Sequence, residues 1–431
     1  MANQHFTRRN LLKAATAAAT TFNIVPRHVL GGQGYTPPSE ELTRAIIGSG
    51  GMAQSHMEYK GSRILAICDV DKKQLARGVE TCKKEGFSVD TYHDFREMIA
   101  RDDIDIVSVV TPPHWHALQA IAAADAGKDV WCEKPMTRTI GEGQKVIEAC
   151  QRNGTVFRIN TWFRLGTNFY GSGVTAHEIK KVVRSGILGG PLRIVIGKHQ
   201  GFNWKIDMWS GKYNLEPQKV PEDLDYNFWL GPAPYKPYHP HRVHMSFRGY
   251  WDYDGGGLGD MGMHYLDPVQ YYLDKDHTSP VKVEVDTEPQ HPDAVKVWRK
   301  VTYTYEDGTQ IVLDGDNSMT NAPYIEGPRG KIYKGFRSTI PRLREMLATM
   351  PDVEHQNGDF HECVRNRKKF ALNEVNGHRS TTMLNMAIIA LQVNRTLHFD
   401  PEKQLFINDD EANRFINQPM RGPWSLEGGV Q

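Results

Sequence analysis

Cysteine is scarce in this chain of 431 residues, and the five cysteines, Cys68, Cys82, Cys132, Cys150 and Cys363, are widely separated. An odd and scattered set excludes a disulfide framework and predicts reduced, buried thiols. The chain also lacks a surplus of charge, because 52 basic residues face 51 acidic ones. This balance gives no electrostatic reason to expect nucleic acid or an anionic membrane as a partner. Apolar runs of the roughly 18 residues that span a bilayer are absent as well, so no membrane attachment is predicted for the mature protein.

The length of the chain exceeds what one hydrophobic core usually needs, which predicts two domains. We place them at residues 35–160 and 161–431, after an N-terminal segment, 1–34, that belongs to neither. That segment contains Thr7-Arg8-Arg9-Asn10-Leu11-Leu12-Lys13, followed by a run rich in alanine and threonine. It is similar to a twin-arginine (Tat) export signal, and the alternative is an amphipathic helix with two chance arginines. The resemblance implies the Tat translocase as a partner and a periplasmic or otherwise exported protein.

A glycine-rich turn follows the first apolar segment of the folded part. Arg44-Ala45-Ile46-Ile47 reads as a short buried strand, and Gly48-Ser49-Gly50-Gly51-Met52-Ala53 follows at once. In this G-x-G-x-x-A pattern the first glycine permits a tight turn, and the second lets the backbone approach a pyrophosphate. The small last residue lets the next helix pack on the strand. The candidate dinucleotide-binding residues are therefore Gly48, Gly50, Gly51, Met52 and Ala53.

An acidic residue stands at the spacing that such a turn requires. The apolar segment 63–68 reads as a second strand, and Asp69 follows it, 21 residues after Gly48. A carboxylate about 20 residues after the first glycine binds the 2′-hydroxyl of the adenine ribose. Because a carboxylate repels a 2′-phosphate, Asp69 favours NAD over NADP, although Lys72 and Lys73 lie close by.

Strand-like and helical segments continue to alternate along the first half of the chain. Residues 104–110 and 129–133 are nearly continuous apolar strands, which is typical of a parallel sheet covered on both faces. The predicted fold class is therefore α/β, with an N-terminal Rossmann dinucleotide-binding domain. Ligands of such sheets bind outside the carboxyl ends of the strands, so the turns there are the ones to inspect.

Two of these turns carry recognisable motifs. Thr111-Pro112-Pro113-His114-Trp115-His116 follows one strand, and Cys132-Glu133-Lys134-Pro135 ends the other. With the glycine turn and Asp69, they resemble the Gfo/Idh/MocA oxidoreductases, which carry a T-P-x-x-x-H turn and an E-K-P turn. The resemblance implies that Lys134 lies between nicotinamide and substrate, whereas a surface lysine beside a turn is the alternative. It also adds Thr111, Pro112, His116 and Glu133 to the residues expected at the cofactor.

A second constellation lies far downstream, where a glycine run at 255–257 is followed by Asp260 and His264. Its position after the glycines predicts that Asp260 caps a helix. Residues four apart share a helix face, which would bring Asp260 and His264 together. The same family carries this D-x-x-x-H pair, with the histidine implicated in proton transfer. The alternative is a helix cap beside a satisfied core histidine.

These side chains suit the oxidation of an alcohol. His264 can take the hydroxyl proton near neutral pH, because an unperturbed histidine titrates there. Lys134 can stabilise the developing alkoxide, and Asp260 can orient the lysine or the imidazole. Lys134, Asp260 and His264 are therefore the predicted catalytic residues.

The second half contains strands rich in Val, Ile and Tyr at 192–198, 281–287, 295–305 and 310–314, and a late helix at 383–397. The resemblance implies an α+β domain with a large open-faced, mainly antiparallel sheet that commonly makes subunit contacts, so a homo-oligomer is expected. Aromatic residues between 201 and 251 suit a carbohydrate cleft, with loop packing as the alternative. Candidate substrate residues are Arg164, Trp204 and His244. No metal site is predicted, because the histidines at 239, 241 and 244 lack a metal-binding spacing.

The sequence thus predicts an NAD-dependent oxidoreductase that moves a hydride between a tightly bound nicotinamide cofactor and a secondary hydroxyl of a sugar, glycoside or cyclitol. Segment 225–244 and the end of the chain resemble an exported bacterial subgroup, several of whose members act on glycosides or keto-sugars. Folding before export would let the protein capture its nucleotide in the cytosol. One alternative is an NAD-dependent glycosidase that acts by oxidation, elimination and re-reduction. A second alternative is a non-catalytic sugar-binding protein.

Overall fold

The first six strands among the described residues form one parallel sheet. The computed structural model describes residues 41–166 and 171–427, so the predicted export segment and the start of the first predicted domain lie outside the described residues. The strands are β1 Thr43–Ile47, β2 Arg63–Cys68, β3 Asp90–Tyr92, β4 Ile106–Val109, β5 Asp129–Cys132 and β6 Phe157–Ile159, in the order β3-β2-β1-β4-β5-β6. Every residue of β1, β4 and β5 is buried, as expected of a sheet covered on both faces.

Helices alternate with these strands. They are α1 Ala53–Glu58, α2 Lys72–Lys84, α3 Phe95–Ile99, α4 His116–Asp125 and α5 Ile140–Asn153. The strand order reverses between β1 and β4, and at such a point the loops that follow the two strands part and open a crevice. The glycine turn follows β1, and the two motif turns follow β4 and β5. The predicted Rossmann domain is confirmed, and it brings all three turns to one edge of the sheet.

The second half forms a nine-stranded sheet that is mainly antiparallel, as expected, with β7 and β10 as a parallel pair. Its strands are β7 Arg193–Gly197, β8 Lys282–Asp286, β9 Lys300–Thr304, β10 Gln310–Asp314, β11 Ile325–Gly327, β12 Gly330–Tyr333, β13 Arg337–Ser338, β14 Leu397–Asp400 and β15 Leu405–Phe406. The helices are α6 Ala176–Arg184, α7 Tyr226–Leu230, α8 Met263–Tyr272, α9 Leu343–Leu347, α10 Phe360–Asn366, α11 Glu374–Val393 and α12 Asp410–Arg414. None of the described helices is long and apolar enough to cross a membrane.

Two element boundaries differ from the sequence prediction. The late helix α11 already begins at Glu374, where Asn373 caps it, and it ends before Asn394, which adopts a positive φ. The predicted strand 295–305 is formed only as β9, because the backbone of Val295 bonds to loops instead. Its N–H donates to the Gly249 carbonyl at 2.9 Å, and its carbonyl accepts from the Gly211 N–H at 3.0 Å.

The helix that carries Asp260 also begins differently. Leu258–Gly262 forms a π-helical turn that runs directly into α8, so Asp260 lies inside the helix and does not cap it, contrary to the prediction. Glycines allow this close packing: a Cβ at Gly259 would lie 1.7 Å from Asp254 Oδ1, and a Cβ at Gly262 would lie 2.5 Å from a methyl of Leu384. Single π-helical turns occur frequently at functional sites.

Candidate active site

A cavity of about 630 Å³ opens at the carboxyl ends of the parallel strands. This volume lies within the range of sites for small molecules and cofactors. Its wall is formed by the glycine turn, the end of β2, both motif turns, the π-helical turn and segment 244–248. The predicted site residues on this wall are Gly48, Gly50, Gly51, Met52, Asp69, Thr111, Pro112, Glu133, Lys134, His244 and Asp260.

The glycine turn leaves open the space that a pyrophosphate requires. Gly48 has a φ of +87°, and a Cβ there would lie 2.8 Å from the Val110 carbonyl oxygen, so only glycine lets β1 and β4 approach this closely. A Cβ at Gly50 or Gly51 would meet nothing within 4 Å, although both residues line the cavity. Ala53 is fully buried behind them, as expected of the small residue that packs the helix on the strand. The turn therefore fits a dinucleotide phosphate.

Asp69 closes the adenine-ribose end of the expected site. Its Oδ2 accepts hydrogen bonds from the Ser49 N–H at 2.7 Å and the Ser49 hydroxyl at 2.9 Å, and its Oδ1 accepts from the Asp71 N–H at 2.8 Å. Burial raises the pKa of Asp69, and these hydrogen bonds partly offset the rise. The carboxyl is therefore fixed on the cavity wall, where it suits a ribose diol better than a 2′-phosphate.

The two motif turns are joined by a buried histidine. The ring nitrogens of His116 lie 2.7 Å from the Pro135 carbonyl oxygen and 2.8 Å from the Thr111 carbonyl oxygen. His116 is not on the cavity wall but behind it, so it holds the turns that contact the cavity. Thr111, by contrast, is on the wall, and its hydroxyl bonds to Gln119 at 2.6 Å.

Glu133, which precedes Lys134 in the chain, is a buried carboxylate. Its Oε1 lies 2.8 Å from His56 Nε2 and accepts a hydrogen bond from the Asn160 amide at 2.8 Å. Burial alone would raise the pKa of Glu133, but the interactions with His56, Lys134 and Asn160 lower it to about 2. Glu133 is therefore ionised at neutral pH.

Lys134 and Asp260, which are 126 positions apart in the chain, form an ion pair on the cavity wall. The Lys134 ammonium donates to Asp260 Oδ1 at 2.9 Å and also to the Asp260 carbonyl. Arg248 Nε lies 2.9 Å from Oδ1, and the Trp209 indole donates to Oδ2 at 2.8 Å. Burial would raise the pKa of Asp260, but the charges of Lys134 and Arg248 hold it well below its usual range.

His264 lies close behind this ion pair. Its ring is 1% exposed and stacks on Trp162 with the ring centres 4.0 Å apart, and its Nδ1 accepts a hydrogen bond from the Trp162 N–H at 3.3 Å. Its Nε2 has no hydrogen-bond partner within residues 41–166 and 171–427. Burial, assisted by the charge of Lys134, lowers the pKa of His264 to about 3, so the imidazole is neutral.

Of the three candidate substrate residues, only His244 reaches the cavity. Arg164 lies in a buried cluster, where its guanidinium bonds to Asp267 and Asp276. Trp204 is also buried, and its indole donates to the Ile196 carbonyl at 3.0 Å. Both side chains are held by the second domain and do not face the cavity.

Sequence reasoning did not single out several residues of the site, among them Ser49, Arg248 and Asp254, and it included Trp209 only as one of the aromatics of segment 201–251. Trp209 and Arg248 lie in the aromatic segment 201–251, where nothing in the spacing indicates which side chains turn toward Asp260. Ser49 fills a variable position of the glycine motif. Asp254 directly precedes the glycine run, so its position next to the predicted pair was the one available signal.

Replacing Gly50 with valine tests the expected phosphate position. Because a Cβ at Gly50 would meet no atom within 4 Å beyond its chain neighbours, the variant is expected to fold normally while its side chain occupies the cavity. A clash of about 1.4 kcal/mol or more would weaken NAD binding roughly tenfold or more. The measurement is the nucleotide content of the purified protein, with the far-ultraviolet circular dichroism spectrum as the folding control. Unchanged nucleotide content would show that the phosphate lies elsewhere.

The fold and the cavity together define a dinucleotide-dependent oxidoreductase. Residues 42–161 match the family described as "Oxidoreductase family, NAD-binding Rossmann fold", and residues 172–426 match its C-terminal alpha/beta domain. The chain therefore belongs to the Gfo/Idh/MocA oxidoreductase family, and NAD is the cofactor of its first domain.

Similar proteins include curated relatives and solved structures. A "Glycosyl hydrolase family 109 protein" of Shewanella baltica is 35% identical over 169 residues, which cover 34% of this chain and 37% of the relative. An "Inositol 2-dehydrogenase" of Salmonella typhimurium is 30% identical over 205 residues, covering 45% of this chain and 56% of the relative. The matches thus span between about a third and just over half of these relatives' length.

The solved structures share the fold over most of the chain. A WlbA dehydrogenase from Bordetella pertussis, in complex with NADH and UDP-GlcNAcA, has a TM-score of 0.57 at 16% identity and covers 84% of this chain and 99% of its own. A levoglucosan dehydrogenase in complex with NADH has a TM-score of 0.51 at 19% identity and covers 83% of this chain and 98% of its own.

Proposed function

We propose that this protein transfers a hydride between bound NAD and a secondary hydroxyl of a sugar, glycoside or cyclitol. The observation that carries the proposal is the Lys134–Asp260 pair, which lies on the wall of the same cavity as the glycine turn and Asp69. When bound, NAD supplies the hydride acceptor. The curated relative named inositol 2-dehydrogenase and the neighbour named levoglucosan dehydrogenase support a polyhydroxylated ring as the substrate class.

Lys134 is positioned to bind the reacting oxygen. Two of its three ammonium hydrogens point to Asp260, which leaves one for a substrate oxygen. Its positive charge stabilises the alkoxide that forms when a hydroxyl loses its proton. Asp260 is held ionised by two cations and the Trp209 indole, so it orients Lys134 and does not exchange protons near neutral pH.

His264 is buried behind the cavity wall, and we propose that its imidazole reaches the substrate oxygen when Trp162 moves. Because Nδ1 accepts from the Trp162 N–H, the hydrogen of the neutral ring is assigned to Nε2, which can donate to a substrate oxygen. Nδ1 becomes available to a proton only when the main chain at Trp162 moves away. The Trp162 side chain is 50% exposed, so it covers His264 from the solvent side. Substrate binding is expected to displace it.

Residues 243–249, which we call the cover segment, support tight retention of the nucleotide. At one end His244 Nε2 lies 3.3 Å from Asp71 Oδ2, beside the adenine-ribose end of the cavity. At the other end Arg248 pairs with Asp260. Met245 and Phe247 line the cavity between them. The cover segment thus connects both ends of the expected dinucleotide site, so the bound nucleotide would be enclosed.

The test has two parts. The purified protein is denatured and the released nucleotide identified, with about one NAD per chain expected. The native protein is then incubated with myo-inositol, levoglucosan and simple hexoses, and the absorbance of reduced nicotinamide and the mass of any keto-sugar are recorded. Nucleotide release without oxidation of any of these compounds would contradict the proposal. Sugar binding without bound nucleotide would instead support the non-catalytic alternative.

A second candidate function is net glycoside hydrolysis by oxidation, elimination and re-reduction on the same NAD. Two observations favour it: the cover segment, which would keep the hydride on the protein, and the relatives named glycosyl hydrolase family 109 proteins. Chromogenic para-nitrophenyl glycosides, assayed without added NAD, separate the two functions. Release of nitrophenol supports the glycosidase, whereas keto-glycoside formation without release supports the dehydrogenase.

We also propose export by the twin-arginine pathway, which rests on the motif Thr7–Lys13 in the part of the chain outside the described residues. An exported dehydrogenase that captures its nucleotide before translocation has a use for an enclosed site. Replacing Arg8 and Arg9 by lysine is expected to move the protein from the periplasmic to the cytosolic fraction of a bacterial host. An unchanged distribution would contradict this proposal.

The open face of the second sheet supports a homo-oligomer. On β8 and β9, Val283, Val301 and Tyr303 are buried toward the helices, whereas the side chains of the opposite face are only half-buried. These half-buried residues include Lys282, Glu284, Thr302 and Thr304. A sheet face of this size is expected to pack against a second copy of the chain. Light scattering during gel filtration checks this, and the mass of a single chain would contradict it.

A further inference from the structure

A buried carboxyl on the cavity wall has no role in the reaction described so far. Asp254 is 2% exposed and lines the cavity together with Lys134, Arg248 and Asp260. Its Oδ1 accepts a hydrogen bond from the Gly255 N–H at 2.8 Å. Asp254 forms no ion pair in the described parts of the chain, and a buried carboxylate without a paired cation is unfavourable.

The packing around Asp254 is close. A Cβ at Gly259 would lie 1.7 Å from Asp254 Oδ1, so the carboxyl is pressed against the π-helical turn that presents Asp260 to Lys134. Burial, assisted by the charge of Asp260, raises the pKa of Asp254 to about 7, whereas Arg248 and Lys134 oppose the rise. The charge of Asp254 also acts on Arg138, where it opposes the lowering of the Arg138 pKa by burial.

Three neighbouring groups of the site, Asp260, Glu133 and His264, differ from Asp254 in this respect. Asp260 and Glu133 remain ionised near neutral pH, and His264 remains neutral. Asp254 is thus a carboxyl on the cavity wall that can both hold and release a proton under the conditions of the reaction. A general acid or base works best with a pKa near the operating pH.

Oxidation of an alcohol and glycoside elimination need different numbers of proton acceptors. Oxidation alone releases one proton, from the hydroxyl. The neutral His264 imidazole takes up that proton at Nδ1 once the main chain at Trp162 has moved away and passes it to the solvent, while Lys134 stabilises the oxygen. Elimination requires a second proton to leave the carbon next to the new carbonyl. When that C–H bond breaks, its electron pair forms a carbon–carbon double bond, and the bond to the leaving oxygen on the next carbon breaks with its electrons. The aglycone oxygen takes up a proton from the solvent.

We propose that Asp254 is a second proton-exchanging residue, which removes the proton from the carbon beside the oxidised carbon of a bound glycoside. The proposal rests on the proposed function, because the carbon acid exists only after hydride transfer to NAD. After the aglycone has left, water adds its hydroxide to the double bond and releases its other proton to the solvent. Asp254, whose carboxyl proton exchanges with the solvent, returns a proton to the carbon beside the carbonyl. Re-reduction by the stored hydride completes a cycle that leaves the nucleotide unchanged.

The discriminating variant is Asp254→Asn in the protein with its bound nucleotide. Asparagine has the same shape, and its amide oxygen can still accept the Gly255 N–H, so a purely structural role would be preserved. The protein is incubated in deuterium oxide with methyl and para-nitrophenyl glycosides. Three quantities are recorded: reduction of the bound nucleotide, deuterium incorporated at carbon, and nitrophenol released.

The wild-type protein is expected to incorporate deuterium, with a rate that rises with pH and levels off above about pH 7, because only the ionised carboxylate accepts a proton. In Asp254→Asn, deuterium incorporation and nitrophenol release are expected to fall by about 10²- to 10⁴-fold relative to nucleotide reduction, which is measured on the same sample. Asp252→Asn serves as a control, because this neighbouring carboxyl does not line the cavity.

Each of the remaining outcomes contradicts either the inference about Asp254 or the proposed function. Wild-type protein that reduces its nucleotide but incorporates no deuterium overturns the inference and leaves the oxidoreductase standing. An Asp254→Asn variant with wild-type exchange shows that the residue is structural. Wild-type protein that neither reduces its nucleotide nor incorporates deuterium with any glycoside overturns both the inference and the proposed function.

Discussion

Replacing Lys134 with methionine is expected to reduce turnover by about 10²- to 10⁴-fold, because methionine keeps the length of the side chain but supplies neither charge nor hydrogen to the reacting oxygen. The fold is expected to survive, since Asp260 retains Arg248 and the Trp209 indole as partners. Nucleotide content should remain near one per chain. The measurements are the rate of nicotinamide reduction at saturating substrate and the nucleotide released on denaturation.

A matched control for this variant is Lys145→Met. Lys145 lies on α5 of the same domain, 43% exposed and paired with Glu148, so its loss is expected to leave both activity and nucleotide content unchanged. If Lys134→Met retained wild-type turnover, the Lys134–Asp260 pair would have no part in the chemistry. Combined loss of turnover and nucleotide would instead assign Lys134 to cofactor binding.

Arg164→Ala is expected to lower the free energy of unfolding by about 3–5 kcal/mol, because the substitution leaves a buried charge without its partner. Arg164 Nε and one terminal nitrogen bond to Asp267 at 2.7–3.1 Å, and both terminal nitrogens bond to Asp276 at 2.7 Å. Asp267 is fully buried, and beyond Arg164 it accepts the Ser380 hydroxyl. Urea unfolding of the protein with bound nucleotide measures the change.

The control for this prediction is Arg299→Ala, which removes an arginine from exposed ion pairs. Arg299 contacts Asp286 and Glu288 with 44% of its side chain exposed, so its loss should lower the free energy of unfolding far less than the loss of Arg164. In Arg164→Ala the unpaired Asp267 binds a proton more tightly when folded than when unfolded. The loss of unfolding free energy caused by Arg164→Ala should therefore become smaller as the pH falls. Equal effects of the two substitutions would show that the buried cluster is not what holds this region together.

The first domain could be read from the sequence because its signals are local. The strands of a sheet covered on both faces are short apolar runs, and the glycine turn and Asp69 stand at fixed distances from them. Helix α5 was not predicted, although Thr139 and Glu142 form a capping box that the sequence displays. In the second domain, β9 is shorter than predicted because Val295 pairs with Gly249 and Gly211, and no local pattern reveals such distant partners.

In the site, too, the features set by local sequence motifs were predicted, and those set by tertiary contacts were not. The proximity of Lys134 and Asp260 was anticipated through the family motifs, yet the wide π-helical turn that presents Asp260 was not. That turn depends on Gly259 and Gly262 packing against Asp254 and Leu384, which are tertiary contacts. Arg164 was expected near substrate because it follows the E-K-P strand. Its true partners, Asp267 and Asp276, lie more than a hundred residues away.

The cover segment has a consequence for stoichiometry. If residues 243–249 retain the nucleotide as proposed, it cannot be exchanged for a fresh oxidised one between catalytic cycles. Each polypeptide can then hold only one pair of electrons. A second oxidation cannot occur until the reduced nucleotide has transferred the first pair to an acceptor. Titration with an oxidisable sugar should therefore stop at one equivalent per chain, and adding a keto-sugar as electron acceptor should restart it.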